Sequence, residues 1–285
     1  MLSDDREVRL LKEVDPTEVP ARDEMLALRR LGTYVGIIRE VGFVGLNVAL
    51  WPLGLVDEAA RIGSSRVRRR YRNQQPRPLA NPSEAAAEVP IILVHGYFHN
   101  RSGLLLTQRA LRKHGFQNVA IFSYNPLRKG IPSLADGLRR KVEATLERTG
   151  ADKVHIVGHS LGGLIARYYV EHLEGKDKVH TLVSLGTPHH GTMMAFLGRS
   201  ASSRQMRPGS EFLNLMAEGP KPPEVRYLCY YSNLDSLVVP SRSATLPNGD
   251  GCRVTNIIVN DLGHLSLLIN SELIDSVAEN LSNLD

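Results

Sequence analysis

The chain has little cysteine and tryptophan: Cys229, Cys252 and Trp51 are all it holds in 285 residues. Two cysteines do not make a disulfide framework. Cys229 lies in an apolar run and reads as a buried thiol, with a bridge to Cys252 left open. No cysteine–histidine spacing resembles a zinc site, so no metal is expected. The first 23 residues are polar and lack both the positive start and the apolar stretch of a secretory signal, so a secreted product is not favoured. A clean membrane span is missing too. Val41–Val56 is uncharged, but its sixteen residues fall short of the about 20 that a spanning helix needs. Extending it back to Leu31 takes in Arg39 and Glu40. Each charge near a helix centre costs roughly 2.5–3.5 kcal/mol, against about 0.3–0.6 gained per Leu or Ile. Acidic residues are absent from 59–83, which holds seven arginines (61, 66, 68, 69, 70, 72, 77). That segment carries +7 of a net +5, so the rest of the chain sums to −2. The basicity is therefore local. No interleaved aromatics accompany it, so nucleic acid is not an expected partner.

These features suggest that residues 1–72 form a helical, basic extension and that 73–88 are a linker, rich in Pro and Asn and then in Ala and Glu. In the extension, Met25–Ile38 reads as a helix. The run that follows reads as a shallow interfacial segment, with Trp51 at the headgroup level and the arginines on anionic lipid. The expected place is then cytoplasmic, peripheral on the inner membrane face, with 24–72 as the contact. A hairpin packed on the rest of the chain, or a solvated linker, is the plainer alternative.

From Pro90 onward the pattern changes to strand, loop and helix, repeated. Ile91–Val94, Val119–Ser123, Val154–Val157, Val179–Leu185, Val225–Tyr231 and Val254–Val259 are short and almost wholly apolar, as parallel strands covered on both faces should be. Leu134, Leu138, Val142 and Leu146 recur every four residues and make a helical stripe. The expected fold is α/β: a doubly wound, mostly parallel sheet of about six strands over 89–285. Ligands in such sheets sit at the carboxyl ends of the strands.

One of those ends carries Gly158-His-Ser-Leu-Gly162, between a β-branched run and a helical pattern. A serine on a sharp strand-to-helix turn needs neighbours without side chains two residues to either side, and glycine supplies this. The new helix points free N–H groups at the place where an oxyanion would form. Ser160 is thus a candidate nucleophile. A serine nucleophile needs a base and the base an orienting acid. His264 follows the last strand and can reach back over the serine. Asp235 follows the strand before it. Asp261 is the rival acid, but at three residues from the histidine it is better placed to shape a turn. The order Ser160, Asp235, His264 is that of α/β-hydrolases. Gly96 after the first strand can turn a backbone N–H inward, so Tyr97 and Leu161 are the expected oxyanion donors. His95 is expected to shape that loop.

Together these motifs resemble the α/β-hydrolases, and among them bacterial triacylglycerol lipases and esterases. Val94-His-Gly-Tyr97 is similar to the oxyanion loop of that group and Gly158-His-Ser-Leu-Gly-Gly163 to its elbow. Gly186-Thr-Pro-His-His-Gly-Thr192 is similar to the segment after its next strand, and Asp235 and His264 sit where its acid and base do. The resemblance covers about two hundred residues. It implies hydrolysis of lipid or acyl esters through an acyl-serine, without a cofactor. It leaves open acyl transfer by the same residues, or a silent, membrane-attached scaffold of the same fold. The group's antiparallel strands ahead of the oxyanion loop are not evident in 63–88. Residues 193–224, rich in Met, Phe and Leu, read either as a short cap over an acyl pocket or as helices packed on the sheet.

Overall fold

In the computed structural model, residues 11–14, 82–97, 99–249 and 251–285 are described. The six apolar runs form strands in one sheet. They are β2 (Ile91–Val94), β3 (Val119–Phe122), β4 (Val154–His159), β5 (Val179–Leu185), β6 (Arg226–Ser232) and β7 (Arg253–Val259), and β1 (Leu11–Glu13) precedes them. The order across the sheet is β1-β7-β6-β5-β4-β2-β3. All neighbours are parallel except β1, which runs antiparallel to β7 with Leu11 opposite Val259.

Strand β1 falls within 1–72, the stretch read as a helical extension, of which only residues 11–14 are described. Three of its residues close the free edge of β7, and the Val14 N–H donates to the Asn256 carbonyl at 2.9 Å. Leu11 packs on the core while Lys12 and Glu13 face out, a charge pattern that suits an edge strand. The last residues of the stretch read as a linker form α1 (Glu84–Glu88). The Ser83 hydroxyl accepts from the Ala86 N–H at 3.2 Å, and Ala86 is buried. The helix at 25–38, the run around Trp51, the arginine block and the membrane contact of 24–72 lie outside the described residues. Among the described residues no helix is long and apolar enough to cross a membrane.

Six more helices follow: α2 (Leu105–Lys113), α3 (Ile131–Thr149), α4 (Leu161–His172), α5 (Ala201–Gln205), α6 (Glu211–Glu218) and α7 (Ser271–Ser282). Alternate strand residues feed two cores. Ile92, Val94 and Ile156 meet Leu134, Leu138 and Val142 of α3, the α4 residues Leu164 and Ile165, and the 195–216 segment. Ile91, Leu93 and Val157 meet Leu111 of α2 and Leu273, Val277 and Leu281 of α7. Each fully buried aliphatic side chain contributes about 1.5–3 kcal/mol. Helix α3 starts with proline in its first turn and ends at Gly150 in the left-handed conformation, with φ 72°. Cys229 and Cys252 are both free thiols, and burial pushes Cys229 up to about 11.

His155 of β4 is fully buried, and neither ring nitrogen has a partner among the described residues. Its ring stands edge-on to His180 with centroids 5.2 Å apart. Burial lowers its pKa from 6.5 to about 3, with the charge of His180 adding to the shift. The unfolded chain therefore binds a proton here between pH 6.5 and about 3 that the folded chain does not. This contribution to stability is intact above pH 6.5 and is lost as the pH falls through that window. Thermal unfolding of wild type and His155→Leu at pH 7.5 and pH 5 should show a smaller drop in midpoint for the variant. An equal drop in both would mean that His155 does not titrate on unfolding.

Candidate active site

The β4–α4 turn is built around backbone strain. Ser160 has φ 54° and ψ −124°, a conformation that side-chain-bearing residues rarely adopt. Its N–H still continues the sheet by donating to the Leu185 carbonyl at 2.9 Å, after which α4 begins at Leu161. Three glycines let the chain reverse so tightly. A Cβ on Gly158 would sit 2.6 Å from the Gly163 backbone, and one on Gly162 would sit 2.4 Å from the Val94 carbonyl oxygen. One on Gly163 would meet the Thr187 hydroxyl at 1.9 Å. The need at Gly163 could not be seen from the motif, because it comes from a residue on the next loop.

The loop after β2 presses against this turn: a Cβ on Gly96 would be 3.0 Å from the Ser160 Cβ. The backbone of Tyr97 follows directly, and Leu161 is the first residue of α4. Both expected donors thus flank Ser160. His95 is wholly buried and stacks on Tyr124 at 4.1 Å with the rings nearly parallel. Its Nδ1 donates to the Gly96 carbonyl at 2.9 Å, and its Nε2 accepts the Tyr124 N–H at 3.3 Å. The Tyr124 hydroxyl in turn donates to the His95 carbonyl. Burial lowers the pKa of His95 to about 4, which keeps the ring neutral and these roles fixed. It shapes the loop that carries Gly96 and Tyr97.

Asp235 and His264 meet. The His264 Nδ1 donates to Asp235 Oδ2 at 2.6 Å, and both side chains are buried. Asp235 Oδ1 accepts the N–H groups of Leu237 and Val238, each at 2.9 Å. The carboxylate is therefore held from both oxygens, and its free edge faces the imidazole. Two ties bring the acid and base loops together. The Asn233 side-chain oxygen accepts the Asp261 N–H at 2.9 Å, and the Ser232 hydroxyl donates to the Leu262 carbonyl. Asp261 has φ 60° and shapes this turn instead of contacting His264 through any described bond.

Two further residues act here that sequence reasoning missed. His159 Nε2 donates to the His264 backbone carbonyl at 3.1 Å, with ring centroids 4.5 Å apart. Burial and the neighbouring His264 charge hold its pKa well below 6.5, so it is a neutral donor that fixes the base loop. Gly186, with φ 54°, lies beneath the pair; a Cβ there would be 2.8 Å from Asp235 Oδ2 and 3.1 Å from His264 Nδ1. No local motif marks either role, since both contacts are long-range.

Ser160 and His264 line one cavity of about 480 Å³. Its roof comes from the 193–224 segment, which divides into two uses. Met194, Ala195, Leu197 and Met206 line the cavity, and of these Ala195 and Met206 also join the core with Phe212, Leu213 and Met216. The segment therefore both lines the cavity and packs on the sheet. Its helix α6 is anchored by Arg167 of α4, which is almost fully buried. It pairs with Glu171 at 2.9 Å and donates to the Met216 carbonyl at 2.5 Å. Thr192 clips the roof to the acid loop: its hydroxyl donates to the Leu237 carbonyl at 2.8 Å and accepts the Val239 N–H at 3.0 Å. Among the described residues no group of three or more His, Cys, Asp or Glu could hold a metal ion.

The parallel sheet, the serine on its strained turn and the acid–base loops at the strand ends define an α/β-hydrolase fold. The comparisons agree. The palmitoyl protein thioesterase family matches residues 90–218. A triacylglycerol lipase of Burkholderia plantarii is 29% identical over 159 residues, 53% of this chain and 42% of that protein. One of Pseudarthrobacter phenanthrenivorans is 33% identical over 118 residues, 39% of this chain and 36% of that protein. The chain thus spans less than half the length of these relatives. The crystal structure of a Bacillus licheniformis lipase in mature form superposes with a TM-score of 0.60 at 20% identity, covering 72% of this chain and 96% of that one. At that identity the likeness is one of fold.

Gly186→Ala tests the packing beneath the acid–base pair. Overpacking and the positive φ should destabilise the protein by about 1–3 kcal/mol in urea unfolding. They should also remove the far-downfield proton resonance of the Asp235–His264 hydrogen bond. A variant that keeps both stability and resonance would show that the site yields freely.

Proposed function

We propose that the chain is a carboxylic ester hydrolase of the lipase or esterase type. One observation carries this: a buried Asp235–His264 pair at 2.6 Å, whose histidine shares an apolar-roofed cavity with a serine on a strained strand-to-helix turn. His264 Nε2 takes the proton of the Ser160 hydroxyl, and the oxygen attacks the acyl carbonyl. The N–H groups of Tyr97 and Leu161 hold the oxyanion. Asp235 keeps the proton of His264 on Nδ1 and stabilises the imidazolium that forms. The imidazolium gives its proton to the leaving alcohol. Water then attacks the acyl-serine with His264 again as base. The named relatives and the Met- and Leu-lined roof support a lipid or acyl ester as substrate. The thioesterase match supports a second reading, cleavage of an acyl thioester by the same steps. Acyl transfer differs only in the final acceptor, and product analysis with added alcohol separates it.

A chain-length series of p-nitrophenyl esters and acyl thioesters, run on wild type and Ser160→Ala, tests the mechanism. The variant should lose about 10⁶ in turnover. A fluorophosphonate probe should label wild type at Ser160 alone. Equal activity in both proteins would mean that Ser160 is not the nucleophile, and no activity with no labelling in folded wild type would leave the silent scaffold as the reading.

Contact of residues 24–72 with an anionic membrane surface is part of this proposal, supported by the uncharged run beside the arginine block. Trp51 is the one tryptophan, so its emission reports on that segment. It should shift to the blue with phosphatidylglycerol vesicles and shift less at high salt. An unchanged spectrum, with the protein left behind on flotation, would remove the contact.

A further inference from the structure

The cavity has both polar and apolar lining residues. Met194, Leu197 and Met206 line it together with Ser160, His264 and His99. The proposed mechanism uses Ser160 and His264 but not His99. His99 is only 4% exposed, and neither of its ring nitrogens has a hydrogen-bond partner among the described residues. Buried polar atoms of native proteins almost always find partners, so an unpaired histidine in a cavity wall calls for an explanation. The His99 N–H donates to the Gly96 carbonyl at 3.4 Å, and the Asn100 side chain caps the turn that follows. Its ring stacks on His159 at 5.3 Å, and His159 packs on His264 at 4.5 Å. The three rings form one row that ends at the base.

Position along that row decides what His99 meets. In ester cleavage the base returns its proton to the leaving oxygen, so the alcohol part of the ester lies on the His264 side. The acyl chain takes the apolar side. We infer that His99 is a specificity residue for the alcohol part of the ester, bonding a hydroxyl that the leaving alcohol carries. A partial glyceride or another polyol ester offers such a hydroxyl; a simple alkyl ester does not. Burial, with the charges of His264 and His95, lowers the pKa of His99 to about 3. The neutral ring then offers one donor and one acceptor, and a hydroxyl can answer either. Torsion about Cβ–Cγ is broad in histidine, so the ring can turn a nitrogen into the cavity without moving the backbone.

This inference rests on the ester-hydrolase reading, and the test separates the two. Fatty acid release from monooctanoylglycerol and from methyl octanoate is measured for wild type, His99→Phe and His99→Gln, with melting curves for each. His99→Phe should lower kcat/KM for the glycerol ester about 3- to 10-fold more than for the methyl ester. His99→Gln, which keeps a donor and an acceptor, should hold the ratio within about twofold of wild type. An equal fall on both substrates would make His99 structural, and an unchanged ratio would leave it without a role in choosing the alcohol. Either result overturns the inference while leaving the hydrolase reading in place. Wild type that cleaves neither ester would overturn both.

Discussion

The strained backbone of Ser160 is the constraint on which the other parts depend. A non-glycine residue in such a conformation costs of order 1–3 kcal/mol and persists only where its surroundings over-determine it. Here they do. The start of α4 lies so close to the end of β2 that no side chain fits at Gly162, and so close to the loop after β5 that none fits at Gly163. The Ser160 N–H is meanwhile held by β5. The turn cannot relax without separating β2, β4 and β5, which together carry much of both cores. Folding energy gathered over the whole sheet thus keeps one hydroxyl raised at its edge.

A second constraint is dryness. His95, His159 and His264 are all buried around Ser160, and burial holds the first two neutral. Neutral rings have one donor and one acceptor each, so a bond made by one nitrogen fixes what the other can do. His95 places one nitrogen on its own loop and the other on Tyr124 after β3, and His159 donates its N–H to the backbone of His264. Neither competes with Asp235 for the base. Of these rings only His264 has a carboxylate partner, which in the proposed reaction would stabilise its imidazolium.

What could be read from the sequence follows from how local each signal is. The six parallel strands were legible because burial on both faces makes them continuous apolar runs. Ser160 was legible because its steric needs fall within two residues of it. Asp235 and His264 could be placed only by the order of loops, and their contact spans 29 positions in sequence. Gly186, His159 and Thr192 lie in quoted motifs, but their roles were not legible, because each acts on a residue brought near by folding alone. Strand β1 was missed for another reason: three residues are too few to show a period, and its pairing is decided by the open edge of β7.

The roof segment shows how far composition can mislead. Its apolar side chains differ widely in burial. Met216 is wholly enclosed and bonded through its carbonyl to Arg167, whereas Leu197 is 79% exposed. A buried Arg–Glu pair is weak as a source of stability. Its use here is to fix position: it pins the 211–218 helix to α4, the helix that follows Ser160. The 193–197 turn hangs from Thr192, which also holds the Asp235 loop. Both ends of the roof are therefore referred to the reacting residues, while the apolar side chains between them are left partly in water. Met194 and Leu197, exposed and lining the cavity, gain most when something apolar covers them. In the proposed reaction that cover is the acyl chain, and its burial supplies binding energy at the one place where Ser160 can use it.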